Sequence, residues 1–152
     1  MIEKLIPTIE NITKYGLRQN LIIENKESNL EEDLVKIYSL YFQIKFEPDD
    51  TDYPDYNRAN YSDIRQTVCS NFPDYGLYKT YLDINDVKNT GDTAIGDAID
   101  DLTDIIKDLL EIKWRIENNS LEDGLWFFEH LFWTHTQQHI LDLLNYMKQK
   151  NR

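Results

Sequence analysis

The stretch GDAIDDLTDIIKDLLEIKW, residues 96–114, decides the fold class of this chain of 152 residues. At about 100° per residue, its isoleucines and leucines fall on one side of a helix and its carboxylates on the other. This pattern predicts a long amphipathic α-helix over Ile95–Glu117, and a second helix capped by Ser120 that runs to about Lys148. Because the link between them is very short, the two helices are expected to form an antiparallel hairpin.

Two further helices are predicted nearer the start of the chain. Apolar residues recur at helical spacing over Ile2–Ile23, and Pro7, which is tolerated only in a first turn, places the start of the regular helix close to it. Ser28 and Glu31 form the Ser-x-x-Glu pattern of a capping box, ahead of an apolar run that ends near Ile44. Both helices are expected to pack into one bundle with the C-terminal hairpin.

The middle of the chain carries most of the turn-forming residues. Residues 47–58, EPDDTDYPDYNR, combine two prolines with a run of aspartates, which predicts a mobile acidic loop. Asn60 is expected to cap a short helix that ends near Asn71, and residues 72–76 are typical of a turn. Residues 77–83 fit either an extended segment or a short helix. Residues 1–152 are therefore predicted to form a single all-α domain of four to six helices.

The composition excludes several classes of function. The formal net charge is −12, so nucleic acid phosphates and anionic membranes would repel the chain. A single cysteine, Cys69, rules out an internal disulfide, and no apolar run reaches the roughly 18 residues of a membrane span. The apolar start is interrupted by Glu3 and Lys4, unlike a signal peptide. A cytoplasmic protein that binds neither nucleic acid nor membranes is expected.

The acidic side of the helix over Ile95–Glu117 is the first candidate site. Its carboxylates lie within roughly 100° of one another, and like charges at three- and four-residue spacing repel by a few tenths of a kcal/mol per pair. A neighbouring Lys or Arg, a cation or a basic partner protein would offset this repulsion; the alternative is a plainly solvated face. The pattern predicts a non-enzymatic interaction or regulatory protein that binds a basic partner. The carboxylates are those of Asp97, Asp100, Asp101, Asp104, Asp108 and Glu111.

The second candidate site is a histidine pair. All 3 histidines fall within residues 130–139, and a helical projection places His135 and His139 on one face, whereas His130 points away. A pair at i, i+4 can hold one divalent metal ion if neighbouring carboxylates complete the site. The alternative function is therefore a metal-binding or metal-dependent protein; an ordinary pair at the core edge is the other interpretation. The carboxylates that could serve as ligands are Asp101, Asp104 and Asp108.

No motif of a common enzyme class is present. The chain lacks a nucleophile motif, a phosphate-binding loop and the His-Glu-x-x-His pattern of metalloproteases, so an enzyme is not the expected function and no organic cofactor is predicted. The segment Leu125–Trp133 is apolar nearly all round. This indicates either central burial in the bundle or a homodimer contact.

The last two predicted helices resemble an uncharacterised bacterial domain family of unknown function. The penultimate helix of that family carries a D-D-L-A-D-I run that ends in D-L, which residues 100–109 match as DDLTDIIKDL. Its final helix has Leu-Trp, then Phe, then His-Trp-Gly-x-His, matched by residues 125–126, Phe132 and the HTQQH of residues 135–139, with Thr-Gln in place of Trp-Gly. The resemblance covers about residues 61–148. It implies an all-helical, intracellular bacterial protein and carries over no activity.

Overall fold

A computed structural model of the protein describes residues 1–58 and 62–151, and it is mostly helical. The predicted single helical domain is confirmed, with the addition of a small β-hairpin. The helices are α1 (Leu5–Leu17), which follows a 3₁₀ turn at Ile2–Lys4, α2 (Lys26–Gln43), α3 (Ser62–Asn71), α4 (Ala98–Asn118), α5 (Leu121–Leu131) and α6 (Gln137–Lys150). The hairpin strands are β1 (Leu77–Tyr81) and β2 (Thr93–Asp97). No helix within the described ranges is long and apolar enough to cross a membrane.

Helix α4 lies at the centre of the bundle, where it packs against α1, α3, α5 and α6. Its apolar side is completely buried at Leu102, Ile105 and Leu109. Helix α5 approaches it very closely, because a Cβ atom at Gly124 would lie only 2.2 Å from Cγ1 of Ile116. The predicted antiparallel arrangement of the C-terminal helices is confirmed, since residues 135 and 139 follow one another along the chain and contact residues 108 and 101 of α4 in the reverse order.

The predicted capping residues can be compared with the observed ends of the helices. Ser120 caps α5 as predicted, since its Oγ accepts a hydrogen bond from the backbone N–H of Asp123 at 3.0 Å. The capping box at Ser28 is wrong, because α2 begins at Lys26 behind Asn25, whose backbone is left-handed at a φ of 55°. The predicted cap at Asn60 lies outside the described residues, and α1 ends at residue 17 rather than 23.

The start of α4 also differs from the prediction. Residues 93–97 form β2, which pairs antiparallel with β1, so the helix begins at Ala98 and not at Ile95. The Asp97 carboxylate accepts a hydrogen bond from the N–H of Ile99 at 2.9 Å and thereby caps α4 where the strand ends. The ring of Tyr78 packs directly on the backbone of Gly96 in the hairpin. Any larger residue would prevent this contact, because a Cβ atom at position 96 would lie 2.2 Å from the ring.

The predicted single helix after residue 120 is interrupted by a π-helical turn, Phe132–Thr136, between α5 and α6. Buried residues follow one another in steps of four, at Phe128, Phe132, Thr136 and Ile140. In a regular α-helix each such step overshoots a full turn by about 40°, so this series would drift round the helix by about 120°. The wider π turn absorbs that drift and keeps the series facing the core.

The segment predicted as a mobile acidic loop has irregular backbone, and it is held against α4 and the start of α5. Oγ of Ser120 donates a hydrogen bond to Asp49 at 3.1 Å, and the Tyr56 ring packs on Trp114 with centroids 5.2 Å apart. A hydrogen bond from the hydroxyl of Tyr53 lowers the pKa of Asp49 to about 2. The end of the segment brings the guanidinium of Arg58 to α4, beside the candidate site.

Candidate metal centre

The structure brings His135 and His139 together with a carboxylate of α4. The two Nε2 atoms lie 3.1 Å apart, and Nε2 of His139 lies 3.5 Å from Oδ2 of Asp104. The three side chains each offer one ligand atom, and these atoms all lie within 4.8 Å of one another. His135, His139 and Asp104 are therefore arranged as a group that could hold one metal ion.

A buried carboxylate orients each imidazole of the pair. Nδ1 of His135 lies 2.6 Å from Oδ2 of Asp108, and Nδ1 of His139 lies 2.7 Å from Oδ1 of Asp101. The side chain of Asp108 is fully buried and that of Asp101 is 7% exposed. An ionised carboxylate only accepts hydrogen bonds, so both Nδ1 atoms must carry the proton and donate it. In the neutral rings, each Nε2 therefore presents a lone pair.

The two facing lone pairs favour a proton or a metal ion between the Nε2 atoms. Two acceptor nitrogens 3.1 Å apart repel each other unless a proton or a metal ion lies between them. Among the described residues, neither Asp101 nor Asp104 contacts a Lys or Arg side chain. A cation held by the two imidazoles and Asp104 would satisfy the nitrogens and offset the negative charge of the surrounding carboxylates.

The pKa of His139 also indicates that this site favours a positive charge. Burial by itself would lower the pKa of this imidazole, but the hydrogen bond to Asp101 and the negative charges of Asp101, Asp104 and Asp108 outweigh it, so the pKa of His139 is raised. The pocket thus favours the positively charged form of the ring. A protonated imidazole and a bound metal ion are alternative ways to supply that charge, and they compete for the same nitrogen.

Three further side chains, none of them predicted from the sequence, support the carboxylates. Oγ1 of Thr136, which is 1% exposed, donates to Oδ2 of Asp108 at 2.7 Å, and Nη2 of Arg58 donates to Oδ1 of the same residue at 3.3 Å. The hydroxyl of Tyr78 donates to Oδ2 of Asp101, and burial together with this hydrogen bond raises the pKa of Tyr78. Hydrogen bonds from these side chains thus hold in place the two carboxylates that orient the histidines.

The predicted ligand set divides into two roles. Asp104 faces the same point as the two Nε2 atoms, so it keeps its predicted place among the ligand atoms. Asp101 and Asp108 do not, because their oxygens are engaged by Nδ1 on the far side of each ring. His130 lies apart from the group, exposed and stacked on Trp126 with centroids 5.0 Å apart.

The six carboxylates predicted as one acidic face also divide. Asp97 and Asp100 pair with the guanidinium of Arg65 at 2.8 and 2.9 Å, near the N-terminus of α4. Asp101, Asp108 and Glu111 are buried, so the interpretation of a solvated face is wrong for these three. Glu111 accepts hydrogen bonds from the guanidinium groups of Arg58 and Arg115. Neighbouring cations and histidines thus offset much of the repulsion along this helix.

The candidate centre is open to solvent on one side. The side chain of His135 is 43% exposed, that of Asp104 36% and that of His139 24%. A ligand atom from water or a small molecule could therefore reach an ion held there. A comparison with family models, curated proteins and solved structures finds no match for this chain, and its resemblance to a domain family of unknown function stays a prediction.

Proposed function

We propose that the protein binds one divalent transition-metal ion through Asp104, His135 and His139. The observation that carries this proposal is the 3.1 Å separation of two Nε2 atoms, each held as a free acceptor by a buried carboxylate on Nδ1. Histidines that ligate metals almost always donate their other ring N–H in this way, and the donation fixes the ring and raises its basicity.

The distances suit the coordination of one ion. With bonds of about 2.05 Å, two Nε2 atoms 3.1 Å apart subtend an angle of about 98° at the ion. The 3.5 Å distance from Nε2 of His139 to Asp104 corresponds to an angle of about 115°. Both angles lie near the tetrahedral value. The ligand atoms of His135 and Asp104 are farther apart, within 4.8 Å, so the partly exposed Asp104 side chain would have to move towards His135 for both to bind one ion.

The donor set favours a first-row transition metal. Two imidazole nitrogens and one carboxylate suit Zn²⁺ or Fe²⁺, whereas Mg²⁺ and Ca²⁺ prefer sites built from oxygen atoms. Three protein ligands leave at least one position for water or a substrate, as in catalytic zinc sites and in iron sites with two histidines and one carboxylate. The exposed side of His135 supports the same interpretation, because it gives a small molecule access.

The predicted interaction function of the α4 carboxylates receives less support. Asp101, Asp108 and Glu111 are buried and hydrogen-bonded within the chain, so they offer no surface to a basic partner. Of the remaining three, Asp97 and Asp100 already share Arg65. The geometry therefore favours the metal function over the acidic-face function.

A competition titration tests the proposal directly. Chelator-treated protein is titrated with Zn²⁺, and with Fe²⁺ under anaerobic conditions, against a chromophoric chelator, and elemental analysis gives the stoichiometry. We expect one ion per chain. His135→Ala and His139→Ala should each lose more affinity than the about 10–100-fold that a supporting residue contributes. At a metal concentration of about 100 Kd, binding adds about 2.7 kcal/mol of stability, which raises the melting temperature by roughly 5–10 °C.

His130 provides the matched control, because it carries the same side chain on α5 but lies outside the group. His130→Ala should bind metal as the unaltered protein does. Two results would contradict the proposal: unchanged binding in both His135→Ala and His139→Ala, or an equal loss in all three variants.

A further inference from the structure

A second surface of the molecule is lined by none of the metal-centre residues. It begins as a cavity of about 540 Å³ between α5 and the end of α2, and continues into one of about 470 Å³ that shares Tyr41, Phe46 and Glu129 with it. A third cavity, of about 560 Å³, shares Phe46 and Leu125 with the second. We call this continuous depression the aromatic groove. The first cavity is lined by Tyr41, Phe46, Pro48, Trp126, Glu129, His130 and Trp133.

The aromatic groove exposes unusually large apolar side chains. Trp133 is 71% exposed, Phe42 63% and Trp126 42%. Tryptophan and tyrosine supply much of the binding energy at protein interfaces, because they bury a large area at a small cost in side-chain entropy. Trp126 and Glu129 lie on one face of α5, three positions apart, and Trp133 follows Glu129 by four positions in the adjoining π turn.

Unpaired acids accompany these rings. Glu47, Glu122 and Glu129 line the aromatic groove, are exposed, and make no hydrogen bond or ion pair with any residue that the structure describes. Lys45 is the lining residue of opposite charge. A carboxylate beside tryptophan rings recognises a guanidinium in two ways, by a charge-assisted hydrogen bond and by stacking of the planar cation on the rings.

The negative charge of the groove favours a basic protein segment over a second copy of the chain, a nucleic acid or an anionic membrane. In a symmetric contact with a second copy, the same surface would meet itself, so the acidic set of Glu47, Glu122 and Glu129 would be brought close to a second such set across the interface. The chain's formal net charge of −12 also repels a second copy, a nucleic acid or an anionic membrane. The same charge attracts a basic segment of another protein.

We propose that the aromatic groove binds an apolar, arginine-bearing peptide segment of a partner protein, with the guanidinium at Glu129 beside Trp126 and Trp133. The proposal goes beyond metal binding and does not depend on it. A segment of this kind would bury the exposed rings with its apolar residues and satisfy Glu129, an acid that has no partner among the residues that the structure describes.

The indole N–H signals of the tryptophans provide the test. The chain has 3 tryptophans, and Trp114, which packs on Tyr56, lies outside the groove and is an internal reference. ¹⁵N-labelled protein is titrated with the peptide acetyl-Ala-Leu-Arg-Leu-Ala-amide and with its citrulline analogue, which keeps the shape of arginine without the charge. We expect the arginine peptide to shift the signals of Trp126 and Trp133 but not that of Trp114, and to bind about tenfold more tightly than the citrulline peptide.

Two variants separate the groove from the general charge of the protein. Glu129→Gln should bind both peptides equally, whereas Glu32→Gln, which removes one exposed acid of α2 outside the groove, should keep the preference for arginine. Equal binding of the two peptides by the unaltered protein would overturn the proposal, and so would the absence of any shift at millimolar peptide. Signals that move with protein concentration alone would assign the groove to a second copy instead and would also overturn it.

Discussion

Asp108→Asn tests whether the carboxylate behind His135 controls metal binding without touching the ion. Oδ2 of Asp108 accepts from Nδ1 of His135 at 2.6 Å and from Thr136 at 2.7 Å, while Oδ1 accepts from Arg58 at 3.3 Å. An amide has only one acceptor oxygen. If that oxygen faces Arg58, the NH₂ group faces Nδ1 of His135. Nδ1 must then accept a hydrogen bond, so the His135 ring takes the other tautomer and carries its proton on Nε2, the nitrogen that should bind the ion.

The expected loss follows from this geometry. A supporting residue behind a ligating histidine typically contributes about 10–100-fold in metal affinity, or about 1.4–2.7 kcal/mol. Asp108 is fully buried and receives charge-assisted hydrogen bonds, so the upper part of that range is expected. The metal-free variant should also lose about 1–3 kcal/mol of stability, because a buried donor loses its charged acceptor.

The assay is the same competition titration, accompanied by urea unfolding of the metal-free protein. Asp101→Asn should behave like Asp108→Asn, since it supports His139 in the equivalent way. Asp100→Asn is the matched control, because Asp100 is exposed, pairs with Arg65 and contacts neither histidine. A folded Asp108→Asn protein that binds Zn²⁺ as tightly as the unaltered chain would refute the reasoning.

Three further outcomes can be checked with purified protein. The pKa of His139 is raised in the folded state, so protonated His139 stabilises the metal-free protein. This stabilisation is complete below about pH 6.5 and is lost as the pH rises through the pKa of His139 in the folded protein. Thermal melts at different pH should show this loss, and His139→Ala should lack it. Gly124→Ala should cost about 1–3 kcal/mol in urea unfolding, since the new Cβ would overlap Ile116; an unchanged midpoint would contradict the close packing of α4 and α5. Phe132→Ala should cost about 3–5 kcal/mol, because the ring is fully buried and stacks on Tyr41 with centroids 4.0 Å apart; a loss below about 1 kcal/mol would place Phe132 outside the core.

Local patterns predicted the elements whose causes are local. The segregation of acids from apolar residues predicted α4, and the serine at position 120 predicted the start of α5. The β-hairpin gave no comparable signal, because its two five-residue strands are separated by residues 82–92 rather than by a two-residue turn. Its inner face depends on the approach of Tyr78 to Gly96, which arises only in the folded chain.

The candidate centre was predictable in outline and not in detail. The helical projection placed His135 and His139 on one face, and the short link brought the α4 carboxylates opposite them. Which carboxylate faces the two Nε2 atoms depends on the register between α4 and α6, and that register is set by close packing at Gly124 and by the π turn. Burial of Thr136 could have been inferred from the four-residue steps of its buried neighbours, whereas the contact made by Arg58 comes from a distant irregular segment.

The π turn has a consequence for communication between the two surfaces. Trp133, at the aromatic groove, and His135, at the metal centre, belong to the same five-residue turn, Phe132–Thr136. The turn is closed by a hydrogen bond from the backbone N–H of Gln137 to the carbonyl oxygen of Phe132, and the ring that this bond closes includes both Trp133 and His135. An occupant of the groove that altered the backbone of this turn at Trp133 would also alter the backbone that carries His135, and with it the contact between His135 and Asp108. Any effect of this kind on metal affinity would be reciprocal, because thermodynamic linkage requires a bound ion to change the affinity of the groove by the same factor.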